Sequence, residues 1–263
     1  MTLFDSHAHY NDEAFGSRDE RNSLLKKLRE EDGVKYILCA GTNPETSREC
    51  LNIAHDNDGI FASVGIHPSD LYDLDDPYIA LNEIKTLAND KKTVAIGEIG
   101  LDYHWHTDKK DLQKDIFQKQ LLLAKELDLP VIIHDREAHG DCLDIVLKNE
   151  GIRGVFHCFS GSKEMAIELL KKSWYISFTG VITFKNASKL LEVAQIVPDD
   201  RLLIETDCPY LTPHPFRSQR NDSGYMKYTV QKLAELRGVT PEHIAEITLK
   251  NTATLFNRCK IEV

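Results

Sequence analysis

Two histidines one residue apart, His7 and His9, close a short segment near the start of the chain, Leu3-Phe4-Asp5-Ser6-His7-Ala8-His9. Its apolar lead-in predicts a buried strand, on which residues i and i+2 share a face. Both imidazoles can therefore address one point, as a metal ion requires. Further donors follow later apolar runs: His67, Glu98, His134, His157 and Asp207. Imidazoles and carboxylates without thiolates suit Zn²⁺, Mn²⁺ or Mg²⁺ in a hydrolytic site with open positions. A carboxylate in the middle of such a set, Glu98, is able to bridge two ions. A metal pair lowers the pKa of water and clamps the attacking and leaving oxygens of a phosphoryl centre. Asp207 would hold one ion and orient the water or take its proton.

These residues need a scaffold that carries them to one place. Strands are predicted at the N-terminal segment and over 34–40, 60–66, 93–96, 130–133, 154–156, 174–178 and 202–204, the last reaching Glu205 and Asp207. Helical patterns fill the intervals at 19–32, 44–57, 77–89, 111–127, 137–149, 162–172 and 186–197. A polar, Pro-rich loop over 208–224 precedes two final helices, the second opened by Thr240 and Pro241. Eight strands alternating with helices predict a (β/α)8 TIM barrel of the α/β class, in one domain over 1–263. A doubly wound open sheet is the competitor, disfavoured by the strand count and by the lack of a Gly-x-Gly-x-x-Gly turn. In the barrel, every candidate donor lands at the C-terminal rim, where this fold builds its active sites. Five of the 11 histidines fall at predicted strand ends, whereas His55, His139 and His243 do not.

Composition sets outer limits. The chain has 263 residues, 41% hydrophobic, and no apolar run near the ~18 residues that a membrane span needs. Polar Asp5, His7 and His9 stand where an export signal would be apolar, and the six cysteines form no Cys-x-x-Cys pair. A cytoplasmic protein with reduced thiols is the expectation. A net charge of −10 argues against broad binding to long duplex nucleic acid, which uses a basic face. It does not exclude a phosphate substrate, because bound cations dominate the local field of a site.

Six segments taken together resemble the signature stretches of the TatD family of metal-dependent deoxyribonucleases. They are Phe4-Asp5-Ser6-His7-Ala8-His9, Gly65-Ile66-His67-Pro68, Gly97-Glu98-Ile99-Gly100-Leu101-Asp102-Tyr103, Pro130-Val131-Ile132-Ile133-His134, His157-Cys158-Phe159-Ser160-Gly161 and Glu205-Thr206-Asp207-Cys208-Pro209-Tyr210-Leu211. The resemblance implies a TIM-type barrel and a site for two divalent ions, or three, with His7, His9, Glu98, His134, His157 and Asp207 as ligands. It implies Mg²⁺- or Mn²⁺-supported cleavage of DNA, exonucleolytic from the 3′ end. The expected partner is thus DNA, single-stranded or at an end, handled by a monomer without membrane attachment. One segment departs from the pattern: a loop like Arg-Asn-Glu-Pro is expected, and this chain has Arg220-Asn221-Asp222-Ser223.

Other residues complete the candidate site. His67 is assigned to substrate or to a ligand rather than to a metal. Arg136 and Arg217 are candidates for holding phosphate, and Ser160-Gly161, before a helix start, for binding it through backbone N–H groups. Glu205, two residues before Asp207, points into the barrel and either tunes a ligand or forms a buried ion pair. His104-Trp105-His106 is a second His-x-His in a polar loop, where Trp105 either stacks on an unpaired base or packs on the barrel. Cys158 and Cys208 are expected to face away from the site as packing residues. Three rival activities share these residues: hydrolysis at a carbonyl centre (an amide or a D-aminoacyl-tRNA ester), a small-substrate phosphatase, and a binding protein that kept the fold.

Overall fold

The computed structural model describes residues 1–105 and 107–261. Eight parallel strands pair in sequence order: β1 (Leu3–Ala8), β2 (Val34–Ala40), β3 (Ile60–Val64), β4 (Thr93–Asp102), β5 (Val131–Arg136), β6 (Gly154–Phe156), β7 (Tyr175–Phe178) and β8 (Leu202–Ile204). The order curls the sheet into a nearly closed barrel. Across the last seam the Asp207 N–H donates to the His7 carbonyl (3.0 Å) and the His9 N–H to the Cys208 carbonyl (2.7 Å). This is the predicted TIM barrel, and the open-sheet alternative is excluded.

Helices α1 (Arg18–Glu31), α2 (Pro44–Asp56), α3 (Pro77–Leu87), α4 (Lys110–Glu126), α5 (His139–Lys148), α6 (Lys163–Lys171), α7 (Ser188–Ile196), α8 (Met226–Arg237) and α9 (Pro241–Leu255) form the outer layer. Their starts follow local rules. Ser17 and Glu20 make a reciprocal capping box, while Asn43-Pro44 and Thr240-Pro241 supply a cap followed by a proline at the first turn. Among the described residues no helix is long and apolar enough to cross a membrane.

The barrel interior explains where the polar residues sit. Phe4, Leu38, Phe61, Val94, Ile132, Val155, Tyr175 and Leu203, one from each strand, share a cluster with Leu255 and Phe256 at the end of α9. Side chains from all eight strands meet only inside a barrel. Two residues further along three of these strands stand Ser6, Ser177 and Glu205, and the Ser177 hydroxyl donates to Glu205 (2.7 Å). Two residues beyond Ile132 and Val155 come His134 and His157, in the period of a strand.

Two irregularities re-aim side chains. The β1–β2 register shifts between Asp5 and Ala8, so the alternation from Phe4 and Ser6 is broken before His7 and His9. In the β4–β5 pair, Ile96 faces Val131 and Ile99 faces Ile133, an extra residue on β4 at Gly97-Glu98. The sequence places the end of this strand at Ile96; the structure carries it to Asp102, because pairing with β5 resumes beyond the irregularity.

Candidate metal centre

Six side chains converge at the C-terminal mouth. His7 and His9 bring their Nε2 atoms within 3.0 Å of each other, as the shared face of the His-x-His predicts. Glu98, 3% exposed, stands between two groups of imidazoles. Its Oε2 lies 3.3 Å from His7 Nε2 and 3.5 Å from His9 Nε2. Its Oε1 lies 2.8 Å from His134 Nδ1, 2.8 Å from His157 Nε2 and 3.4 Å from His67 Nε2. Asp207 Oδ1 closes the first group at 3.6 Å from His7 Nε2 and 3.3 Å from His9 Nε2. The strand ends do this together: β1 and the residue after it supply two donors, β4 and β5 one each, and the turns after β6 and β8 the last two.

The donor set fits divalent cations. Three trios, His7–His9–Glu98, His7–His157–Asp207 and His67–Glu98–His134, each place one atom per residue within 4.8 Å of the others. The Nε2 atoms of His7 and His9 lie within hydrogen-bond distance of each other and of two carboxylates, and a cation would accept a lone pair from each of these groups at once. Behind the rings stand oxygens that hold them in place, the arrangement that metal-binding histidines use. His9 Nδ1 donates to the Ala40 carbonyl (3.1 Å), which leaves its Nε2 lone pair for the cluster. Glu205 Oε1 lies 3.4 Å from His157 Nδ1 and also accepts the Cys158 N–H (2.6 Å). Glu205 thus supports a cluster imidazole, and no Lys or Arg pairs with it among the described residues.

Electrostatics follow from crowding in a dry site. Burial opposes the charge on Glu98, but His157, His67, His7 and the bond with His134 outweigh it and hold the carboxyl well below its usual range. Asp207 is lowered in the same way, against its own burial, by His9, His7 and His157. Burial opposes protonation of His9 too, yet Asp207 and Glu98 raise it to about 9. His157 is driven well above the ordinary range against its burial, by Glu98 and Glu205. His7 goes the other way, lowered by burial and by the charge of His157. The set holds two carboxylates ionised, ready for cations.

His67 sits at the edge. The Ser69 N–H donates to its Nδ1 (3.1 Å), so the proton of the neutral ring is on Nε2, the nitrogen that faces Glu98. That tautomer is a donor, in keeping with a substrate-side assignment for His67 rather than a metal-side one. The remaining candidates are not gathered into the cluster. Arg136 is exposed and lies over the Trp105 ring (5.4 Å to its centre), and Arg217 is exposed over Phe184 (3.7 Å). The Ser160 hydroxyl donates to the Asp135 carbonyl (3.5 Å), and Gly161 packs against Phe159 and Met165 just ahead of the Ser162 cap of α6.

In the second His-x-His, His104 Nδ1 lies 2.7 Å from Glu137 Oε1 and Trp105 is 64% exposed, so it does not pack on the barrel. His106 lies outside the described residues. Cys208 is buried as expected. Cys158 follows the end of β6 at Phe156, so strand alternation does not govern it. It is only half-buried beside Thr179, and burial, reinforced by the Asp207 charge, pushes its thiol up to about 12.

Three residues without an assigned role in the sequence join the site. Asp102 Oδ2 lies 3.1 Å from His134 Nε2. Asp5, at 0% exposure, binds the segment just before Asp207 through Thr206. Tyr210 lays its ring 6.3 Å from that of His9 and donates its hydroxyl to Asp12 (2.8 Å). Asp5, Asp102 and Tyr210 stood inside the quoted segments, and a polar residue inside a buried run was the available signal.

A (β/α)8 barrel with histidines and carboxylates gathered at its C-terminal mouth defines a metal-dependent hydrolase of the barrel type. The model of the TatD related DNase family matches residues 4–257, and the chain belongs to that family. It is 46% identical to the metal-dependent hydrolase YabD of Bacillus subtilis, over 97% of this chain and 98% of that one. It is 36% identical to the metal-dependent hydrolase YcfH of Escherichia coli, over 98% and 96% of the two chains. Among solved structures, the TatD homologue YJJV of Escherichia coli superposes with a TM-score of 0.88 at 30% identity, over 97% and 98%. The chain is therefore a metal-dependent hydrolase, and an enzyme.

Proposed function

We propose that the protein cleaves phosphodiester bonds in DNA, working from a 3′ end, with two divalent ions held at the barrel mouth. The observation that carries the reading is the position of Glu98, with one carboxylate oxygen turned to His7 and His9 and the other to His134 and His157. A carboxylate shared in this way suits a pair of ions, His7, His9 and Asp207 on one side and His134 and His157 on the other. Mg²⁺, Mn²⁺ or Zn²⁺ bound there supplies Lewis acidity that lowers the pKa of water and neutralises charge at phosphorus. The name of the matching family supports DNA as the substrate.

The chain's own groups divide the remaining tasks. Asp207, whose side chain is 16% exposed against 4% for Glu98, is the more open carboxylate and takes the proton of the attacking water. His67 offers Nε2–H to a non-bridging or leaving oxygen. Arg136 and Arg217, each laid on an aromatic ring, hold the flanking phosphates. Ser160 and Gly161 line the same rim with backbone N–H groups at the start of α6. The acidic surface keeps long duplexes from binding broadly and favours an end or a single strand.

The test uses metal-stripped protein and a 5′-labelled single-stranded oligonucleotide, with Mg²⁺, Mn²⁺ or Zn²⁺ added back. A ladder of shortened products that needs metal, and that Glu98→Ala and Asp207→Ala both abolish, is the expected result. An intact oligonucleotide from protein that still binds its ions would refute the reading and move the substrate to a carbonyl ester or amide.

A further inference from the structure

Asp102 lies at the last residue of β4, four positions beyond Glu98, and is 1% exposed. Its two carboxylate oxygens face different parts of the site. Oδ2 lies 3.1 Å from His134 Nε2, while the opposite ring nitrogen, Nδ1, faces Glu98 Oε1 at 2.8 Å. Oδ1 accepts the backbone N–H groups of His104 (2.9 Å) and Trp105 (3.1 Å), folding the loop after β4 into a tight turn. The backbone of Asp102 is clamped as well, since its N–H donates to Gln113 Oε1 (2.9 Å) and its carbonyl accepts Gln113 Nε2 (3.0 Å) from α4.

We propose that Asp102 is a positioning residue of the metal centre: it receives the Nε2–H of His134, which keeps the Nδ1 lone pair turned to the ions, and it ties the loop of His104 and Trp105 to that same ligand. The argument is one of tautomers. Both ring nitrogens face carboxylates, Nε2 towards Asp102 and Nδ1 towards Glu98, and a carboxylate only accepts. Glu98 belongs to the donor set that would hold the ions, so with an ion there Nδ1 is the ligand atom and the ring proton is left on Nε2, facing Asp102. The imidazole stands between Asp102 and Glu98, so Asp102 acts through His134 rather than on an ion itself. Trp105, exposed at the rim under Arg136, is carried by the same turn, and the approach to the centre is built off one of its ligands.

The proposal rests on the metal-hydrolase reading and not on DNA as the substrate, so metal binding tests it. Asp102→Asn keeps one oxygen for the loop amides but sets an NH₂ group against His134, which favours the wrong tautomer. The expected result is a folded protein with one of its ions bound about 10–100-fold more weakly in equilibrium dialysis, the usual effect of losing such a partner. The visible spectrum of its Co²⁺ form should change as well, a readout that a purely structural role would leave alone. Unaltered affinity for both ions together with an unaltered Co²⁺ spectrum would overturn the proposal. A measurement on the native sequence guards against misfolding of the variant. In ¹⁵N-histidine-labelled, Zn²⁺-loaded protein, with His134 assigned by its loss in His134→Gln, the proton should sit on Nε2 and the metal shift on Nδ1. The reverse pattern would overturn the proposal regardless of substrate.

Discussion

At the scale of single residues, the departure of this chain from its family pattern has a physical content. Ser223 stands where the resemblance led to an expected proline, and its hydroxyl donates to Asp5 Oδ2 (2.6 Å) and meets the Tyr10 hydroxyl (2.8 Å). Its N–H donates to the same Tyr10 oxygen (3.0 Å). Asp5 also accepts the Thr206 N–H (2.9 Å) and hydroxyl (2.6 Å), so one buried carboxyl joins β1, the segment before Asp207 and the loop after it. Burial pushes that carboxyl up to about 7 in spite of these donors. Removing one hydrogen-bond partner leaves the others poorly satisfied at a cost of about 1–3 kcal/mol. Ser223→Ala should therefore lower unfolding stability by about 1–2 kcal/mol. Ser223→Pro, which lacks both the hydroxyl and the N–H, should cost more. Urea denaturation measures both. A proline variant as stable as the native protein would show that the loop does not depend on this network.

At the scale of elements, the same loop-to-strand logic appears at the start of α2. Asn43 Oδ1 accepts the Thr46 N–H (2.9 Å), a local cap that the Asn-Pro pair announces in the sequence. Its Nδ2 donates to Asp70 Oδ2 (2.7 Å), which also accepts the Thr42 hydroxyl (2.9 Å). The His67 N–H donates to the Thr42 carbonyl (2.7 Å), so the helix start holds the loop that presents His67. Asn43→Ala should cost about 1 kcal/mol of stability through the lost cap. It should also speed amide hydrogen exchange over residues 65–73. Asn43→Asp keeps the cap but sets a carboxylate against Asp70, so it should speed that exchange with little loss of stability. If both variants exchange like the native protein, the link to Asp70 does not hold the loop. The cap was legible because its partners lie within one turn, and the tie to Asp70 was not, because residues distant in sequence make it. The strands show the same divide. Buried parallel strands are continuous apolar runs and could be read one by one, whereas β4 beyond Ile96 is interrupted by Gly97, Glu98 and Gly100. Its extension to Asp102 depends on pairing with β5, which carries no local mark.

At the scale of the molecule, the cluster is what five of the eight strand ends share. The six donors were legible because the barrel turns one-dimensional positions, just past apolar runs, into a common rim. The supporting carboxylates were harder to read, since nothing in a sequence says which oxygen stands behind which imidazole. Donors drawn from β1, β4, β5 and the turns after β6 and β8 make ion binding a property of the closed barrel, and the unfolded chain has no comparable site. Whatever binds only the folded state stabilises it by mass action, by about 2.7 kcal/mol for one site at a hundred times its dissociation constant. The unfolding temperature should therefore fall when a chelator strips the protein and rise again with the logarithm of added Mn²⁺ or Zn²⁺. Glu98→Ala, lacking the carboxylate between the two groups of imidazoles, should flatten that rise. Arg217→Ala, which changes a guanidinium lying on Phe184 away from the cluster, should keep the full metal-dependent shift. Thermal scans of the three proteins across a metal titration separate the cases. A native protein whose transition ignores both chelator and metal would show that the six side chains do not form a site that couples ions to the fold.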